Sequence, residues 1–180
     1  MTIIRRVLFA LVALVALLLV AGLLLPGSAH VERSITTTAS PDTVYGIVNG
    51  FARFNEWSPW ADLDPKTRYS YSGPPTGVGA KMAWTSDKAE VGSGSQELVA
   101  VEPGRSVRTR LDFDSNVATS TMRIEPATGG GSRITWSFDT SFEGNFAGRY
   151  FGLLLDRMIG PDYEKGLGRL KALAETAPAS

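Results

Sequence analysis

Val107-Arg108-Thr109-Arg110-Leu111-Asp112-Phe113 alternates residue by residue between side chains that suit a core and side chains that carry charge. A strand turns successive side chains to opposite faces, so Val107, Thr109, Leu111 and Phe113 share one side and Arg108, Arg110 and Asp112 the other. This is the pattern of a strand with one side on a core and one in water. The three charged residues read as a solvated face. Pro103-Gly104 before the stretch and Asp114 to Asn116 after it supply turn residues.

Outward from this strand the same alternation and punctuation recur. Upstream, Tyr69 and Tyr71 alternate with serines before Gly73-Pro74-Pro75, and Met82 and Trp84 alternate with Lys81, Ala83 and Thr85. Gly92 to Val101 is a weaker strand whose glycines leave its inward face ambiguous. Downstream, Met122 and Ile124 share a side, as do Ile134, Trp136 and Phe138 beyond Gly129-Gly130-Gly131. Val31 to Thr38, rich in β-branched residues, adds a first strand. About seven strands in hairpin succession predict a curved antiparallel sheet with one covered face.

Two short helices follow strand one. Ser40 is placed as an N-cap, Pro41 fits the first helical position and Asp42 favours the positive end of the dipole. Val44, Tyr45, Ile47 and Val48 form its apolar stripe, closed by Asn49-Gly50. Phe51, Phe54 and Trp57 repeat the theme until Pro59. The cover of the sheet is a long amphipathic segment, Phe146 to Ala174. Phe151, Leu154, Leu155, Met158 and Ile159, then Leu167, Leu170, Leu173 and Ala174, keep a three-to-four spacing. Pro161 predicts a kink or two abutting helices. The fold class is α+β, and a long helix across a curved sheet leaves room between them for an apolar ligand.

Residues 1–26 stand apart. Val7 to Leu25 carries no charge and spans roughly 28 Å as a helix, close to the ~30 Å hydrocarbon core of a bilayer. Arg5-Arg6 precede it and Pro26-Gly27 stops it. The run exceeds the h-region of an ordinary secretory signal, although Gly27-Ser28-Ala29 supplies small residues of the kind a signal peptidase cuts. An uncleaved anchor is the reading adopted, with a cleaved signal as the alternative. The arginine pair, against Arg33 alone soon after the helix, predicts a cytoplasmic N-terminus and a domain outside the cytoplasm. The expected organisation is an anchor over 1–26, a tether over 27–30 holding His30, one domain over 31–176 and a tail over 177–180.

Composition removes several classes of chemistry. The 180 residues contain no cysteine and one histidine, His30, which excludes disulfides and thiol catalysis and argues against a Ser-His-Asp relay or a multi-histidine metal site. Lys+Arg and Asp+Glu balance at 18 each, so nothing draws the chain to nucleic acid. Gly92-Ser93-Gly94 and Gly77-Val78-Gly79 open no helix and read as turns and bulges, not phosphate loops. Asp62, Asp64, Asp112 and Asp114 alternate as metal ligands can, but lack the length and terminal glutamate of a calcium loop. No cofactor or metal is expected.

Three sets of residues carry a resemblance. Val31-Glu32-Arg33-Ser34-Ile35, Ser40-Pro41-Asp42-Thr43-Val44-Tyr45 and Trp57-Ser58-Pro59-Trp60 resemble the opening of an SRPBCC domain of the polyketide cyclase/dehydratase type. Gly77 to Trp84 and Gly92 to Ser95 resemble its middle strands, and Gly148-Arg149-Tyr150-Phe151-Gly152-Leu153 its terminal helix. The resemblance covers nearly everything after the anchor. It implies the helix-grip fold shared with START lipid-transfer domains and birch-pollen-allergen-like proteins, in which a seven-stranded sheet wraps a long helix around a hydrophobic cavity. Such domains bind or process lipids, sterols and polyketides and share no catalytic motif, so no catalytic residue is carried over.

The candidate site therefore rests on this chain's own residues. Met82, Trp84, Phe113, Met122, Trp136 and Phe138 from strands, and Tyr150, Phe151, Leu154 and Met158 from the helix, are the expected cavity lining. Trp57 and Trp60 brace the helical turn or line the cavity mouth. Glu97 is the candidate ionisable group inside, since Gly94 and Ser95 leave space beside it, and Arg33 alternates with Val31 and Ile35 as an edge arginine reaching outward, with a carboxylate pair or a ligand's acidic head as alternatives. The expected function is a membrane-anchored binder of a hydrophobic small molecule or lipid. A cyclase/dehydratase-like enzyme and a ligand-free interaction module are the alternatives, separated by what the cavity walls contain.

Overall fold

The computed structural model describes residues 2–113 and 116–177. An N-terminal helix, α1 (Thr2–Leu24), is followed by β1 (Ser28–Thr37), α2 (Pro41–Val48), α3 (Phe54–Trp57), β2 (Arg68–Ser72), β3 (Lys81–Thr85), β4 (Ser93–Glu102), β5 (Ser106–Asp112), β6 (Val117–Pro126), β7 (Ser132–Ser141) and α4 (Phe146–Thr176). The strands form one antiparallel seven-stranded sheet in the order β1-β7-β6-β5-β4-β3-β2. Strands β2 to β7 follow as hairpins, but β1 lies at the far edge beside β7, and α2 and α3 lead the chain to the opposite edge, β2. This α+β sheet-and-helix arrangement is the helix grip expected from the sequence.

Local chemistry explains the short helices. Ser40 accepts the Thr43 N–H at 3.2 Å, Pro41 starts α2, and Val44, Ile47 and Val48 are buried. The second helix is shorter than the Phe51–Trp57 spacing suggested, because Phe51 to Arg53 form a turn and only Phe54–Trp57 is helical. The tether assigned to 27–30 is also corrected. Strand β1 starts at Ser28, paired with Ser141, and the Phe142 N–H donates to the Gly27 carbonyl at 2.7 Å. His30 is thus a strand residue on the exposed face, with its Nδ1 2.6 Å from Asp139 of β7.

The ambiguity of β4 has a physical cause. A bulge between Leu98 and Ala100 changes the phase of its alternation, so Gln96 and Leu98 face inward before it and Val101 after it. Gly94 lies where a Cβ would meet the Trp84 ring at 2.6 Å, so the space beside it is filled by Trp84 across the β3–β4 pair. The β5–β6 turn expected at Asp114 to Asn116 falls partly on Asp114 and Ser115, outside the described residues, as does the tail beyond Ala177.

Helix α4 runs through Pro161 as one continuous helix, so the two abutting helices offered as one alternative there do not form. The Asn145 side chain caps its start, accepting the Gly148 N–H at 2.9 Å. Its second half buries Tyr163, Leu167, Leu170 and Ala174 against the main core, which includes Val44, Ile47, Met82, Leu98, Met122, Ile134 and Trp136. Arg33, facing α4 from β1, ties the two together. Its guanidinium donates to both Asp156 oxygens at 2.8 and 3.1 Å and to Glu164 at 2.8 Å, with its side chain only 26% exposed. The carboxylate pairing therefore replaces the outward-reaching arginine. Gly160 allows it, since a Cβ there would run into the Arg33 guanidinium.

Helix α1 is long and apolar enough to cross a membrane, over Ile3–Leu24, and is almost wholly unburied. By length and composition it is a membrane span or a signal sequence.

Candidate ligand cavity

A cavity of about 760 Å³ lies between the sheet and α4. Its existence follows from the placement of bulk. Trp136 of β7 stacks on Tyr163 of α4 with ring centres 3.9 Å apart, and Trp57 and Trp60 meet Trp136 edge-on at 5.2 and 5.9 Å. This aromatic cluster props helix and sheet apart and closes one end of the space. Gly166 makes the prop possible, because a Cβ there would lie 2.8 Å from the Trp136 ring. Along the rest of the helix the sheet contributes smaller side chains, Thr109, Ala118, Ser120 and Thr140, and the interior stays open.

Ten of the expected lining residues surround this space: Trp57, Trp60, Met82, Trp84, Phe113, Met122, Trp136, Phe138, Phe151 and Met158. Trp57 is buried at the closed end, so it braces the interior instead of framing an entrance. Phe113, Phe151 and Met158 are 40%, 47% and 52% exposed while also lining the cavity, which places them at its open end. Trp84 and Phe113 form one wall, edge to face at 5.9 Å.

Three expected residues lie elsewhere. Glu97 is on the outer face of β4, paired with Lys81 of β3 at 3.0 Å, because the bulge comes only after it and leaves Gln96 as the inward neighbour. Leu154 projects away from the sheet and is 54% exposed. Tyr150 turns toward α1, its hydroxyl donating to the Leu18 carbonyl.

The sequence reading missed others. Gln96, buried with its amide 4.0 Å from the Met82 sulfur, hid behind the ambiguous phase of β4. Ser120 accepts the Trp136 Nε1–H at 2.8 Å, and its place opposite Phe138 was readable from the alternation of β6. Tyr163 follows Pro161 closely, where the helical stripe was expected to break. Burial pushes its hydroxyl far above the usual tyrosine range, with Ser120 acting weakly the other way, so it remains a neutral group.

Among the described residues the lining contains no Lys, Arg, Asp or His, and its one carboxylate, Glu90, is exposed at the rim. Charged groups lie outside. Arg110 and Asp112 form a 3.5 Å pair on the outer face. Asp64 accepts from the Ser86 hydroxyl at 2.6 Å and the Lys66 N–H at 3.0 Å, which holds its carboxyl below the usual range, and Asp62 pairs with Arg169. Both are structural loop acids. Asp114 lies outside the described residues. Among the described residues no group of His, Asp and Glu is placed to hold a metal ion.

Comparison with known proteins agrees with this geometry. Residues 28–175 match the family model described as polyketide cyclase / dehydrase and lipid transport. The chain belongs to that family. No curated protein sequence matches it. Solved structures share the fold at low identity. Norcoclaurine synthase from Thalictrum flavum, in complex with dopamine and hydroxybenzaldehyde, is 13% identical with a TM-score of 0.62, over 85% of this chain and 90% of that one. A protein of Chromobacterium violaceum is 16% identical with a TM-score of 0.57, over 84% and 100%. One of Nitrosospira multiformis is 17% identical with a TM-score of 0.58, over 82% and 97%. As in other SRPBCC domains, β1 to α4 form the unit, and α1 lies outside it.

Proposed function

We propose that this family domain binds a hydrophobic small molecule or lipid in the cavity between sheet and α4, tethered to a membrane by α1. The observation that carries the reading is the character of the cavity. About 760 Å³ is the size of a drug-like or single-chain ligand site, and its walls are aromatic, aliphatic and thioether groups with a few neutral polar ones. Gln96, Thr109 and Ser120 offer hydrogen bonds to a polar end of the ligand. The volume argues against an interaction module with a collapsed core. Acid-base catalysis would call for a titratable pair inside, whereas the described lining holds its carboxylate, Glu90, at the exposed rim and presents neutral groups within.

In this reading α1 stays uncleaved, Arg5 and Arg6 remain cytoplasmic and the domain lies outside the cytoplasm. Native mass spectrometry of residues 27–180, purified without detergent, tests the binding. That segment holds every core residue and the complete sheet. A reproducible co-purifying lipid or other apolar molecule, lost on organic extraction, is the expected result. A protein that is empty and takes up no acyl-chain probe from solution overturns it.

A further inference from the structure

Helix α1 is packed against the first turns of α4. The Phe146 ring occupies the place a side chain at Gly22 would take, the Tyr150 hydroxyl donates to the Leu18 carbonyl, and Arg149 donates to the carbonyls of Gly22 and Leu23 at 3.3 and 3.4 Å. The contacts of Phe146 with Gly22, Arg149 with Gly22 and Leu23, and Tyr150 with Leu18 place the first turns of α4 against the C-terminal end of α1. Ile3–Leu24, at 1.5 Å per residue, is about 33 Å long, and Leu18 lies about 9 Å below its end. If α1 crosses a bilayer, Tyr150 lies at the depth of an interfacial amphipathic helix, roughly 5 to 10 Å into the headgroup and acyl boundary.

The residues that follow match that setting. Phe151, Leu154 and Met158 are 47%, 54% and 52% exposed and share an apolar face on the half of α4 nearest α1, with Leu153, 60% exposed, set beside it across Arg157, whose long side chain can carry its charge out to the headgroups. Arg149, at the level of α1's last carbonyls, can extend its charge to the headgroups. Phe151 and Met158 are also the helix residues at the open end of the cavity.

We infer that the amino-terminal half of α4 is seated in the bilayer surface beside α1, so that the cavity opens directly onto the lipid and takes a membrane-resident amphiphile without a passage through water. This rests on the proposed binding function and names where the ligand comes from. Continuity with the α1–α4 contact selects the bilayer as the occupant of this face over a second copy of the chain.

Nitroxide labels on the full chain in phosphatidylcholine vesicles test it. The natural sequence has no cysteine, so Leu153→Cys, Leu154→Cys and Val99→Cys each give one site. Val99 is a control, 40% exposed at the bulge of β4. Labels at 153 and 154 should collide with oxygen dissolved in the lipid and lose collisions with a water-soluble nickel chelate, and the label at 99 should do the reverse. Water-like accessibility at 153 and 154 overturns the inference. So does label-to-label coupling that grows with protein-to-lipid ratio, which would place a second copy on this face. Binding of cis-parinaric acid by residues 27–180 in water is measured separately, so a failed seating and an empty cavity are told apart.

Discussion

Between Phe146 and Ile159, α4 leaves Phe151, Leu153, Leu154 and Met158 half exposed, whereas between Gly160 and Ala174 it buries Tyr163, Leu167, Leu170 and Ala174 almost completely. Both stretches keep the three-to-four spacing, and the exposed one is the more apolar, with nine apolar residues in fourteen against six in fifteen. What separates them is the surface they face. The second half lies on the densest part of the core, where Trp136, Ile134 and Val44 fill the space under the helix. The first half passes over the open part of the sheet, held by a small satellite cluster of Val31, Phe142 and Leu155 and by the Arg33 clamp. One helix thus serves as core at one end and as the wall and rim of a cavity at the other.

The division is broken most directly by deleting matched leucines. Leu170, fully buried, should cost about 2 to 5 kcal/mol on Leu170→Ala, whereas Leu154→Ala, at an exposed position, should change stability by no more than about 0.5 kcal/mol. Urea unfolding of residues 27–180 measures both. Equal losses would mean that the first half is packed as tightly as the second. A smaller effect is expected at the junction of the halves. Ser120→Ala removes the acceptor of the buried Trp136 Nε1–H and should cost about 1 to 3 kcal/mol. It should also free the Trp136 indole, visible as a shift in tryptophan emission. No change in either would show that the Trp136–Tyr163 stack is held by packing alone.

The sequence made one half of this division plain and concealed the other. Alternation in β5, β6 and β7 placed Met122, Trp136 and Phe138 inward, and the Ser40-Pro41-Asp42 cap located α2. Periodicity reports only that a helix has an apolar side, not whether that side meets a core, a void or a lipid surface. Leu154 and Tyr150 were therefore drawn into the cavity beside Phe151 and Met158, although one points outward and the other toward α1. Glu97 was misplaced because a single bulge reverses the phase of β4, and nothing in Gly92 to Val101 announces which peptide carries it. Arg33 was placed on the correct face, but its partners are on α4, more than a hundred residues away, and only the fold brings them together.

That clamp gives the third prediction, smaller than the Ser120 effect because its carboxylates are well exposed. Hydrogen bonding from Arg33, with its charge, holds the Asp156 carboxyl below the usual range. A depressed folded-state pKa contributes stability above the unfolded value, near 4, and that contribution is lost as pH falls through the folded one. Arg33→Gln should lower the thermal midpoint at pH 7, and the difference from the natural chain should shrink below about pH 4 as Asp156 protonates in both. Asp62, Asp64 and Glu175 have lowered values too, so both proteins weaken in acid, and only the difference between them reports the clamp. A difference that stays constant down to pH 2 would assign Arg33 a packing role.

The smallest expected change in stability is at the rim. Phe151 lines the cavity yet is 47% exposed, so it has few neighbours to lose. Phe151→Ala should leave urea unfolding within about 0.5 kcal/mol of the natural protein, since no close-packed cavity is created. Its consequence should appear in kinetics. A bulky ring at the open end hinders exit, and removing it should speed release of a bound acyl probe such as cis-parinaric acid more than it slows uptake. Unchanged release with unchanged stability would mean that the ligand leaves by a route that Phe151 does not obstruct. A large loss of stability would instead move Phe151 into the core and erase the distinction between the two halves of α4 at its most sensitive point.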